Sequence, residues 1–301
     1  MARAGSVPFT EERARQVLAH AGHRAAEAEL LALGENAVFA LGSDGPVVRV
    51  GRSAELLDRM RHEVRTAVWL AEQGVPAVRP ADVPGAGEPG GARLVDGHPV
   101  TEWLRLPPAV RPAGAGDLAI LLRSVHRLPA PPHPLPRRDL LGGVERWLRL
   151  AGDAIDPADA AYLRERRDRF AAAAGTLTPR LAPGPIHGDA LPRNVHVGPD
   201  GPVLVDLETF ADDLREHDLV VMALARDRYG LPPEEYDRFT AEYGWDVREW
   251  EGCATLRGAR ETAGCAWVAQ HAPGNPAARA EFRRRVESLR TGNTAVRWHP
   301  F

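Results

Sequence analysis

The sequence predicts an α+β protein, short paired strands around one long helix first and a mostly α-helical body after them. Three observations predict it. Residues 30–51 alternate short β-rich runs with turns, and one long helical pattern follows at 54–73 before strand signals resume at 79–101. From Leu104 onward the apolar spacing is helical almost throughout. The exception is a single β-hairpin pattern at 195–205, set among the helices.

Taken in order, Thr10 with Glu11 and Glu12 forms a helix-start signal, and Val17, Leu18 and Ala21 supply an apolar face, which predicts a helix over 10–29. Residues 34–41 read as a turn passing into a strand, Ser43-Asp44-Gly45 as a hairpin turn and 46–51 as a second strand. The helix over 54–73 stops at the Gly74-Val75-Pro76 break, and 79–101 reads as a turn-rich pair of short strands. An apolar helix over 116–128 is ended by the proline-rich stretch 129–136. Further helices are expected over 139–150, 157–174, 214–226, 233–243, 247–270 and 277–290. No internal repeat is present.

At 301 residues the chain can bury one large core or two smaller ones. A net charge of −3 with no dominant basic tract argues against a nucleic-acid partner. No apolar run approaches the roughly 20 residues of a membrane helix. Met1 opens a polar, charged stretch rather than a signal peptide, so a soluble cytoplasmic protein is expected. The two cysteines, Cys253 and Cys265, fall in a helix-rich region and are expected to be free buried thiols. The chain contains no lysine: all 38 basic side chains are arginine. That excludes a Walker-type phosphate loop, which needs Gly-Lys, and any Schiff-base mechanism.

The chemistry concentrates in Ile186–Phe210, IHGDALPRNVHVGPDGPVLVDLETF. Four residues separate Asp189 from Asn194. This is the interval of a kinase catalytic loop, where the Asp takes a hydroxyl proton and the Asn holds Mg²⁺. Val195-His196-Val197 and Val203-Leu204-Val205 flank the turn cluster Gly198–Pro202, so the hairpin brings its outer ends, Asn194 and Asp206, together. An amide and a carboxylate are hard oxygen ligands that suit Mg²⁺. One acidic residue near a turn is ordinary; the joint pattern is rare. A metal-hydrolase reading of His187 and Asp189 would need further histidines at ligand spacing, and none is grouped that way.

The segment resembles the catalytic core of the aminoglycoside phosphotransferase family, small-molecule kinases related to protein kinases. It shares the pattern H-G-D-x-x-x-x-N followed by an Asp after the next hairpin, and its Asp206-Leu207-Glu208 is similar to the family's D-x-E. The resemblance implies a protein-kinase-like fold with an N-lobe over 1–95 that binds nucleotide. A C-lobe over 96–301 would carry the catalytic loop and the acceptor site, with the active site in the cleft. It implies that Asp189 is the catalytic Asp and that Asn194 and Asp206 hold Mg²⁺. Arg49 would stand where the family places its phosphate-binding Lys or Arg, with Glu63 as the helix acid that orients it. Gly34 and Asn36 belong to the loop that would cover the phosphates, and the adenine-binding hinge would fall near 93–97. His187 would support the loop, and Asp218 would brace the C-lobe.

ATP, or GTP in its place, is then the donor, and a hydroxyl of a small molecule the acceptor. An antibiotic of aminoglycoside or other natural-product type is expected. A primary metabolite of choline, fructosamine or sugar type is the alternative, and H-G-D rather than H-N-D counts against choline. A non-catalytic nucleotide-binding module is a further alternative, against which the intact Asp189, Asn194 and Asp206 set argues. Nothing after Asp206 resembles an activation segment ending in A-P-E, which disfavours a protein kinase. The oligomeric state stays open.

Overall fold

The computed structural model describes residues 9–82 and 91–300. The chain forms two compact units, one from Met1–Pro112 with His196–Glu208 and the other from Ala113–Val195 with Thr209–Phe301. In the first unit, strands β1 (Ala28–Leu33), β2 (Asn36–Leu41), β3 (Val47–Gly51), β4 (Arg93–Val95) and β5 (His98–Trp103) make one antiparallel sheet in the order β1-β2-β3-β5-β4. Helix α1 (Glu11–His20) starts where the Thr10 hydroxyl accepts the Arg13 N–H at 3.2 Å. Its Val17 and Leu18 pack with Phe39, Val48, Val50 and Val100, alternate residues of β2, β3 and β5, into a core with no exposure at all. Helix α2 (Leu57–Glu72) buries Met60, Glu63, Val64, Ala67 and Leu70, a helical stripe packed against β5.

Two expectations change here, and one strand, β1, was not expected. The helix expected over 10–29 ends at His20, and Gly22 at φ +95° turns the chain. Residues 28–33, AELLAL, suit a helix by propensity, yet they form β1, because pairing along β2 supplies every residue but Leu31 with a cross-strand partner. The hinge expected near 93–97 is instead β4 and its turn into β5. Asp96 (φ +51°) and Gly97 (φ +78°) form the left-handed pair of a two-residue hairpin, an Asp-Gly signal visible in the sequence. The chain leaves the sheet after β5, through residues 104–112. Of the turn-rich stretch at 79–101, residues 83–90 lie outside the described residues.

The second unit is mostly helix: α3 (Ala115–Val125), α4 (Val144–Ala151), α5 (Pro157–Ala174), then strand β6 (Gly184–Ile186). Next in the chain come β7 (Val195–Gly198) and β8 (Gly201–Leu204), a hairpin that from His196 onward belongs to the first unit, where Leu204 exchanges hydrogen bonds with Pro76 and Val78 at 2.9 Å each. Strand β9 (Ala211–Asp213) pairs antiparallel with β6, and α6 (Glu216–Arg228), α7 (Pro233–Tyr243), α8 (Cys253–Ala269) and α9 (Pro276–Arg290) follow. Helix α8 packs against α4, α5, α6 and α9. The expected helix over 247–270 is divided, a 3₁₀ turn at Val247–Glu249 preceding α8.

Cys253 and Cys265 are buried and unlinked. Trp298 lies in the core with α4, α5, α8 and α9, and its indole N–H donates to Ser288 at 3.0 Å. No described helix is long and apolar enough to cross a membrane. Phe39→Ala should remove about 3–5 kcal/mol of stability, the range for emptying a wholly buried aromatic site. Urea unfolding measures this, and a loss below about 1 kcal/mol would contradict the packing described.

Candidate active site

The His187-Gly188-Asp189 loop leaves β6 in the helical unit, and side chains satisfy its backbone atom by atom. Asp218 of α6 accepts the His187 N–H at 2.7 Å and the Gly188 N–H at 2.8 Å. The Thr209 hydroxyl donates to the His187 carbonyl at 2.9 Å. Two guanidiniums, Arg138 and Arg260, converge on the Gly188 carbonyl at 3.1 Å each. The Asp189 carbonyl accepts the Asn194 amide at 2.8 Å. Gly188 sits at φ +83°, and a Cβ there would lie 2.2 Å from the Thr209 carbonyl oxygen, so this position requires glycine.

Burial alone would raise the Asp218 carboxyl. The hydrogen bond and charge of His126, 3.1 Å away, together with the His187 ring and N–H, outweigh it and hold the group at about 2. Arg260 is drawn down to about 10, first by burial and then by Arg138, with Asp189 and Asp218 opposing. His217, whose carbonyl Arg260 also binds at 3.0 Å, is held neutral with a value near 4 by burial and by the Arg260 charge.

The Asp189 carboxylate itself is 29% exposed. Its Oδ2 takes two donors, Arg193 Nη2 at 2.8 Å and Asn194 Nδ2 at 3.2 Å, and among the described residues none donates to Oδ1, the oxygen that could meet a hydroxyl. Because Asn194 spends its Nδ2 on Asp189, its amide oxygen remains for a cation. The expected pair of Asp189 and Asn194 is thus in direct contact, through a 3₁₀ turn at Pro192–Asn194.

The other expected residues lie in the sheet unit. Arg49 on β3 donates from Nη1 to both Glu63 oxygens, at 2.7 and 2.8 Å, and the Glu63 side chain is 3% exposed. Gly34 and Glu35 form the turn between β1 and β2, with the Gly34 N–H donating to the Asn36 carbonyl at 3.0 Å. The Asn36 amide oxygen is buried without a hydrogen-bond partner among the described residues. Asp206 is exposed after β8 at φ +60°, a left-handed conformation that a carboxylate side chain tolerates better than most. Two residues on, Glu208 is pushed above the usual carboxylate range, chiefly by burial; Arg59 opposes the shift, and Asp206 and Glu63 add to it.

Sequence reasoning missed Arg59, Arg138, Arg260 and His126. Arg59 stands one helical turn before Glu63, a spacing that could have marked it. Arg138 follows a proline-rich loop and Arg260 is one of many helical arginines, so neither carries a local signal. Between pH 6.5 and about 4 the unfolded chain binds a proton that His217 refuses in the fold, so stability falls as pH falls through that window. Relative to a His217→Gln variant, wild type should lose up to about 1.4 kcal/mol per pH unit there, measured by urea unfolding across pH. Parallel curves for the two proteins would contradict this. Gly188→Ala should abolish activity while the helical core still unfolds cooperatively, as read by circular dichroism; an active variant would show that the loop tolerates a Cβ.

A family model described as the phosphotransferase enzyme family matches residues 27–256. No curated protein sequence matches the chain. Among solved structures, an amicoumacin kinase in complex with AMP-PNP, Ca²⁺ and Ami aligns with a TM-score of 0.70 at 14% identity, covering 96% of this chain and 98% of that one. A choline/ethanolamine kinase family protein from Mesorhizobium loti aligns with a TM-score of 0.62 at 17% identity, covering 94% and 96%. The aminoglycoside phosphotransferase APH(3'')-Id from Streptomyces rimosus aligns with a TM-score of 0.61 at 19% identity, covering 84% and 99%. These likenesses are of fold, and the family match spans most of the chain. The protein belongs to the phosphotransferase enzyme family, that of the aminoglycoside phosphotransferases, and has its kinase-like fold.

Proposed function

We propose that this protein is an ATP-dependent phosphotransferase that moves the γ-phosphoryl group to a hydroxyl of a small molecule, with a hydroxylated natural-product antibiotic as the acceptor class. The observation that carries the reading is the Asp189 carboxylate: its Oδ2 is held by Arg193 and Asn194 while none of the described residues donates to Oδ1. In this reading Oδ1 accepts or orients the proton of the acceptor hydroxyl, and the clamped backbone from His187 to Asp189 keeps it in place. Arg49, fixed by Glu63 through Nη1, offers its other guanidinium nitrogens to phosphate oxygens. The turn at Gly34 and Asn36 would cover the phosphates.

The residues also fit Mg²⁺. The free amide oxygen of Asn194 and the exposed Asp206 carboxylate are hard oxygen donors that flank the β7–β8 hairpin in the chain. The ion, when bound, would neutralise charge on the transferring phosphoryl group. Similar folds support a nucleotide donor, since one was solved with AMP-PNP and Ca²⁺ and another with ADP and streptomycin. Abundant Mg-ATP makes the cytoplasm the fitting compartment. A second reading, a kinase of a primary metabolite, is favoured by the likeness to choline kinases.

Asp189→Asn should lower turnover by about 10²–10⁴-fold, the usual share of a positioned acid or base. Equilibrium binding of Mg-ATP should stay within about threefold of wild type, because the substitution leaves the nucleotide contacts in place. Acceptor-dependent ADP release and calorimetry check the two arms, and a fully active variant would sink the assignment.

A further inference from the structure

The sheet unit gathers more carboxylates around its expected phosphate site than it has cations to match. Glu35 sits in the β1–β2 turn, Glu63 on α2, and Asp206 and Glu208 follow β8. Arg49 is engaged by Glu63. Arg59, on α2 one turn before Glu63, spans two of the others: its Nη2 lies 2.6 Å from Glu35 Oε2 and its Nε 3.5 Å from Glu208 Oε2. Burial would lower the Arg59 guanidinium, but the adjoining Glu35 carboxylate and the charges of Glu208 and Glu63 raise it. The Glu35 side chain is 42% exposed and that of Arg59 33%.

Glu35 is out of place in a turn that covers phosphates, since its carboxylate would repel them. Arg59 neutralises it at rest from 2.6 Å, while the more exposed Arg52 stands farther off, its Nη2 3.9 Å from Glu35 Oε1. A half-exposed pair of this kind is weak, about 0–1 kcal/mol. A terminal phosphate offers a guanidinium more charge and a bidentate match. With no lysine in the chain, an arginine must supply any second phosphate-binding cation. We propose that Arg59 is that cation, held at rest between Glu35 and Glu208, and that bound nucleotide phosphates take it over from Glu35. The inference rests on the phosphotransferase reading and assigns Arg59 a place in it.

The test compares Arg59→Ala, Arg59→Lys and Glu35→Gln for binding of Mg–AMP-PNP by calorimetry, alongside the nucleotide KM. Arg59→Ala should weaken binding by about tenfold or more, as loss of a charge-assisted contact does, with partial recovery in Arg59→Lys. Glu35→Gln should tighten binding by roughly two- to fivefold, because it removes the competitor for Arg59. If the pair only braces the turn, both substitutions weaken binding, and that result overturns the proposal. Unchanged binding in both variants overturns it as well. If Arg59→Ala fails to fold, the sign of the Glu35→Gln effect decides. Wild type that binds no Mg–AMP-PNP would reject the phosphotransferase reading and this inference with it. Wild type that binds while Arg59→Ala binds equally well rejects this inference alone.

Discussion

The buried Asp218 carboxylate accepts the N–H groups of His187 and Gly188 at 2.7 and 2.8 Å and faces His126 at 3.1 Å. Burying an unpaired carboxylate is expensive, so the group persists in the fold only because donors surround it. The dependence runs both ways. The loop after β6 has a left-handed glycine and leaves the sheet ladder, so its backbone groups need partners that the ladder cannot supply. Charged side chains supply them, Asp218 below the N–H groups and Arg138 with Arg260 on the Gly188 carbonyl. Asp189 inherits its position from that clamp, and Asn194 extends it by binding both the Asp189 carbonyl and its carboxylate.

The same physics shapes the sheet unit, where the absence of lysine matters most. A guanidinium differs from an ammonium in presenting a planar set of donors, so one residue can hold a carboxylate and still offer nitrogens elsewhere. Arg49 does this by spending a single nitrogen on both Glu63 oxygens. Arg59 does it by spanning Glu35 and Glu208. Both pairs join side chains on different elements, so the positions of β3, α2 and the β1–β2 turn are tied to the charge arrangement.

Much of the architecture was legible in the sequence. The limits of α5 and α7 could be read because Pro157 and Pro233 open them at their first turn. Strand β1 could not, because Ala, Glu and Leu prefer a helix and only the neighbouring strand overrides them. The candidate segment stood out in the sequence because its residues are local: Asp189, Asn194 and Asp206 fall within one short stretch. Arg49 and Glu63 were singled out by the family resemblance, on one strand and the helix after it, and the two side chains are in contact. The clamp was legible only at Asp218. Arg138, His126 and Arg260 come from remote parts of the chain, and nothing in their immediate neighbours distinguishes them from surface arginines or an ordinary core histidine. Such partners are fixed by tertiary packing.

The family membership is that of a phosphotransferase, and the function proposed above adds one bond change to it, transfer of the terminal phosphoryl group to an alcohol. A shared fold does not dictate the acceptor. Phosphorus NMR of the protein incubated with Mg-ATP and a panel of hydroxylated natural products and metabolites tests the claim most directly. The account predicts a new phosphate monoester formed in step with ADP. Appearance of AMP and pyrophosphate, or ADP with inorganic phosphate alone across the panel, would contradict it.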